Sequence, residues 1–108
     1  MAMHFHDRHE HIDYLKACEV ARRLVADPST IDDARRFVEI HMAPDPHQRT
    51  YTRMWQELLQ RAPAEIAAAL TEDSARGRLL RETSPVFGEG LTSRDVAELI
   101  AHMDAAAS

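Results

Sequence analysis

Apolar residues recur at three- and four-residue intervals along most of the chain, the period of helices that bury one face. Tyr14, Ala17, Cys18, Ala21, Leu24 and Val25 share one such face, and Asp7 with Glu10 forms a capping pair ahead of them. A first helix is therefore predicted from about Arg8 to Ala26. Asp27-Pro28 interrupts it, because the residue before a proline avoids the helical conformation. Thr30 with Asp33 predicts a restart whose Ile31, Ala34, Val38, His41 and Met42 share a face, ending near Met42. In the connector APDPHQ, Asp45 is placed to cap a third helix with Pro46 at its first position.

The strongest periodicity follows. Tyr51, Met54, Trp55, Leu58, Leu59 and Ala62 line one side, while Arg53, Glu57 and Arg61 predict opposite-charge pairs one turn apart. Pro63 opens the short helix PAEIAAAL, with Ile66, Ala69 and Leu70 inward. Thr71, Glu72 and Asp73 predict the start of the next helix, which carries Ala75, Leu79 and Leu80. TSPVFGEG breaks the pattern, and Thr92 with Asp95 caps a last helix bearing Val96, Leu99, Ile100 and Met103. No strand alternation and no internal repeat interrupts this series. The expectation is an all-α fold: a single compact domain over residues 1–108 with five or six amphipathic helices, a His-rich arm at 1–7 and a fraying tail at 104–108.

Length fits that picture, since 108 residues support one modest core. The N-terminus has histidines and charges where a secretory signal needs an apolar stretch, and no apolar run approaches a membrane span, so a cytoplasmic location without membrane contact is expected. One cysteine, Cys18, excludes an internal disulfide and a C-x-x-C motif, and its place on the inner face reads as small and buried. A net charge of −5 argues against direct nucleic-acid binding by this chain alone. The charge is uneven. Up to Ala62 nine basic residues stand against ten acidic ones; from Pro63 onward four stand against eight. The acidic half is suited to a basic partner surface.

The opening stretch HFHDRHEH places His4, His6, His9 and His11 within eight residues. Neutral imidazoles suit zinc, nickel or copper, and histidine also titrates between pH 5 and 8, so a metal- or pH-responsive protein is the alternative function. His4 and His6 precede the first helix, however, and His9 and His11 point in different directions on it. A solvated helix start with adventitious zinc or nickel affinity is the preferred reading, and no resident cofactor is expected. His41 and His47, with a nearby carboxylate, define a third class, a small enzyme, which would need a polar pocket at the second-to-third helix turn. No nucleophile elbow, phosphate loop or H-E-x-x-H pair is present, so a non-enzymatic role is favoured.

From Trp55 to Leu91 the order WQELL, IAAALTEDS, RGRLLRETSPVFG resembles a set of short uncharacterised bacterial helical proteins. The matching positions are Trp55, Leu58, Leu59, Glu72, Asp73, Ser74, Leu80, Arg81, Ser84, Pro85 and Gly88. Proteins of that set look like antitoxin-like small partners encoded beside nucleotidyltransferase-type toxins. The resemblance implies a protein-interaction or regulatory module that binds a larger nucleotide- or nucleic-acid-acting enzyme, and it brings no catalytic residues. Glu72, Asp73, Arg81, Val86 and Phe87 are the expected partner-binding set, with Val86 and Phe87 as exposed apolar anchors. Self-association is left open.

Overall fold

Six α-helices and no strand make up residues 5–107, the part of the chain described by the computed structural model. They are α1 (Arg8–Ala26), α2 (Ser29–Phe37), α3 (Arg49–Leu58), α4 (Pro63–Leu70), α5 (Ala75–Glu82) and α6 (Ser93–Ala107). The fold is all-α. None of these helices is long and apolar enough to cross a membrane.

The caps explain most of the boundaries. Asp7 accepts the Glu10 amide at 2.8 Å, satisfying one of the amides left unpaired at the start of α1, and Glu10 reaches back to accept the His6 amide just ahead of the cap at 3.2 Å. Asp27, not the expected Thr30–Asp33 pair, organises the restart. Its carboxylate accepts both the amide and the hydroxyl of Ser29, and its carbonyl accepts the Thr30 hydroxyl at 2.9 Å. Asp45 caps as expected, accepting the His47 amide at 2.9 Å, but Pro46–Gln48 forms a 3₁₀ turn before α3 begins.

Two departures change which side chains face inward. α2 runs into a π turn at Val38–Met42, closed by the Ala43 amide on the Val38 carbonyl at 2.8 Å. The wider turn keeps Val38 and Met42 buried while rotating His41 and Ile40 into solvent, so the expected inward His41 instead lies against the Phe37 ring, 4.7 Å between centroids. The acidic Glu72–Asp73 pair does not start α5. Thr71 closes the preceding turn, donating to the Ala67 carbonyl, and Ser74 caps α5 by accepting the Gly77 amide at 2.9 Å. Val25, Ala62 and Ala75, expected inward, are exposed, the first two at or beyond the ends of their helices. Arg53, Glu57 and Arg61 form no ion pair among the described residues; the expected ladder is absent.

Trp55 is the largest fully buried side chain and shares one connected apolar cluster with Leu24, Ile66, Leu70 and Leu80. Burial of each such side chain contributes about 1.5–3 kcal/mol. The Trp55 indole also donates to the Thr83 hydroxyl at 3.0 Å, which satisfies its one polar atom. α1 packs chiefly on α4, and α6 lies against α1 with Met103 as its most buried residue. The ends of those two helices are joined by a forked contact in which Arg8 donates to both Asp104 oxygens at 2.6 and 3.0 Å. The tail expected to fray from 104 is helix through Ala107.

Candidate functional site

A cleft of about 300 Å³ opens between α1, the C-terminal end of α5, the segment 83–92 and the start of α6. Its apolar wall is built by Ala17, Val20, Leu70, Phe87 and Val96, and its polar groups are Asp13, Lys16, Arg81 and Ser84. The loop reaches this place through its glycines. Gly88 has φ +62°, a left-handed conformation costly for other residues, and its amide donates to the Thr30 carbonyl at 3.2 Å. That anchor folds Phe87 inward, where its ring meets Trp55 edge-on at 6.1 Å. Phe87 is therefore a core residue, only 7% exposed, and not the exposed anchor its loop position suggested. Val86 points the other way and is 41% exposed at the rim.

Arg81 is occupied by the fold. One terminal nitrogen donates to the carbonyls of Leu70 and Glu72, both at 3.0 Å, closing the C-terminal end of α4. Its guanidinium also lies over the Tyr14 ring, 5.4 Å from the centroid. The Tyr14 phenol titrates above its usual 10.0, first because of its hydrogen bond with Cys18 and then because of burial. Cys18 is half-buried at this contact rather than enclosed. Arg81 thus positions the turn that carries Glu72 and Asp73, whose own side chains are exposed. The structure brings Arg81, Val86 and Phe87 to one cleft, whereas neither Glu72 nor Asp73 lines it and only the Glu72 backbone carbonyl reaches Arg81.

Lys16 is the residue that sequence reasoning passed over. It is the chain's one lysine, it is half-buried in the cleft, and its ammonium has no hydrogen-bond or ion-pair partner among the described residues. Asp13 in the same wall lies 3.4 Å from His9 Nε2 and forms no ion pair with Lys16. An ammonium without an ion pair beside an apolar wall is suited to a carboxylate arriving from outside. The signal available in the sequence was its singularity among arginines.

The histidines separate. His4 lies outside the described residues. His6 donates its amide to Glu10, His9 pairs with Asp13, and His11 stacks on Phe5 with 4.5 Å between ring centroids. Among the described residues no three His, Cys, Asp or Glu side chains come together as a metal-ligand set. His41 and His47 are both exposed, and neither is paired with a carboxylate among the described residues.

No protein-family model, curated protein or solved structure matches this chain.

Proposed function

We propose that the protein is a non-enzymatic interaction module whose docking face is this cleft, with Val86 on its rim and the Glu72–Asp73 turn joined to it through Arg81. The observation that carries the reading is Lys16, an unpartnered ammonium beside an apolar wall and next to an outward valine. A partner segment that presents an apolar side chain and a carboxylate matches both features, and basic residues beyond it match the acidic turn. In its specific form, the protein is an antitoxin-like partner of a larger nucleotidyltransferase-type enzyme. That form is supported by the resemblance of residues 55–91, and no cofactor belongs to it.

Co-expression with the products of the neighbouring genes of the native host, followed by calorimetric titration of the purified pair, tests the proposal. Val86→Asp and Lys16→Glu should each weaken binding about tenfold or more, because the first puts a charge in an apolar contact and the second repels the incoming carboxylate. Glu72→Lys with Asp73→Lys should lower the association rate and its salt dependence. Wild-type affinity in all three variants would remove this face from consideration.

A further inference from the structure

A second site lies away from the cleft, where α3 and α5 together line an open groove of about 410 Å³. Arg49 and Arg53 stand one turn apart on α3, and α5 brings Arg76 to the same groove, with Met54, Thr50 and Glu57 completing it. All three arginines are exposed, and their guanidinium groups have no hydrogen-bond or ion-pair partner among the described residues. The contrast with the remainder of the chain is sharp. Every other described arginine except Arg61 reaches a carboxylate or a backbone carbonyl. Unpaired arginine is thus concentrated in one place, in a protein whose net charge is −5.

That concentration is unfavourable for the fold by itself. Like charges repel, and Arg76 sits in the first turn of α5, where the helix dipole disfavours a cation and the turn itself holds no acidic residue. Glu57 supplies one negative charge to the groove but bonds none of the three guanidiniums, so a surplus of positive charge is left. The planar, forked donors of arginine match the tetrahedral oxygens of a phosphate group, and a dianionic phosphate matches the surplus. The groove is also larger than a phosphate alone requires, and the half-buried Met54 thioether offers its remaining space a soft apolar surface.

We propose that this groove binds a small phosphate monoester, with the phosphate held by Arg49, Arg53 and Arg76 and the organic body resting on Met54. Glu57, which lines the same groove, then accepts a hydrogen bond from a hydroxyl of that body. The site shares no lining residue with the cleft, and its nearest approach along the chain to the docking face is Arg76, three residues after Asp73.

Calorimetric titration of the full chain in phosphate-free, low-salt buffer, with AMP and with inorganic phosphate as probes, tests this. AMP is expected to bind saturably at one site, more tightly than inorganic phosphate. The Arg53→Gln/Arg76→Gln double variant should weaken AMP about tenfold or more. Its melting temperature without ligand should match or exceed that of the wild type, because mutual repulsion has been removed; a merely structural role for the arginines would lower it. Arg49→Gln, which leaves α5 untouched, should weaken AMP in the same direction. A non-saturating AMP titration at millimolar concentration, or a double variant that binds within twofold of the wild type, would overturn the site. Equal affinity for AMP and inorganic phosphate would overturn the role given to Met54.

Discussion

An alanine at position 77 would place its Cβ 2.1 Å from the Glu72 carbonyl oxygen and 3.0 Å from a terminal nitrogen of Arg81. In an exposed helix, glycine to alanine stabilises by about 1 kcal/mol, through a less flexible unfolded chain and a better helical residue. Here the obstructing atom is backbone, so it cannot rotate away as a side chain would. The 71–74 turn has to move. In doing so the Glu72 carbonyl gives up the hydrogen bonds it accepts from Arg81 at 3.0 Å and from the Ser74 amide at 3.1 Å. Losing one charged and one neutral bond costs about 2–4 kcal/mol, so Gly77→Ala should be net destabilising by about 1–3 kcal/mol. The melting temperature should fall by roughly 5–15 °C for a chain of this size. Urea unfolding should show a lower midpoint at unchanged slope. Arg81→Met should then cost less in the Gly77→Ala background than alone, because the bond it removes has already been broken. An alanine variant as stable as the wild type, or more so, would refute the close approach on which the whole turn depends.

Other perturbations probe separate parts of the molecule. The Thr52 hydroxyl is buried without a hydrogen-bond partner, so Thr52→Val, close to it in shape, should raise stability by about 1 kcal/mol in chemical denaturation. Trp55→Phe leaves the Thr83 hydroxyl without its indole donor and opens space in the core. It should destabilise by about 2–4 kcal/mol, read by near-ultraviolet circular dichroism and urea titration. The hydrogen bond from Arg8 holds the Asp104 carboxyl below its usual 3.8. The stability it contributes is therefore present above that value and is lost as pH falls through the lower folded-state value. Asp104→Asn should accordingly show a smaller drop in melting temperature between pH 5 and pH 2 than the wild type. Gly88→Ala, at φ +62° and with its Cβ only 3.0 Å from a Thr30 methyl, should loosen the 83–92 segment, seen as faster amide exchange at Phe87.

Local chemistry made much of the fold legible. Asp7, Asp27-Pro28, Asp45-Pro46, Pro63 and Thr92 each mark a helix boundary through their own caps or ring geometry, and these signals need no distant partner. What escaped depends on longer-range packing. The periodicity of α2 assigns His41 inward because it assumes an unbroken 3.6-residue period, and the π turn that displaces it leaves no composition signal. The Glu72–Asp73 pair imitates a helix start, while Ser74 does the capping with Gly77 at the position where Glu or Gln would advertise a capping box. Phe87 in a glycine-flanked loop reads as exposed until Gly88 is seen bonded to Thr30, far away in sequence. Both candidate sites are likewise assembled across the chain: Lys16 joins residues near 85, and Arg76 joins Arg49 and Arg53. The i,i+4 spacing of Arg49 and Arg53 was visible, but the third member was not.

The contact between Arg8 and Asp104 also bears on how the chain folds and unfolds. It spans a sequence separation of 96 residues, and α6 reaches the rest of the molecule mainly through α1. Closing so long a loop carries an entropic cost before the contact returns anything, while α2 through α5 assemble from near neighbours. The docking of α6 is thus expected to come after the rate-limiting barrier. In a chevron plot, Met103→Ala should raise the unfolding rate at unchanged slope while leaving the folding limb in place, whereas Ile66→Val should slow refolding. The last helix then acts as a kinetic latch, setting how long the native state lasts rather than how quickly it is reached.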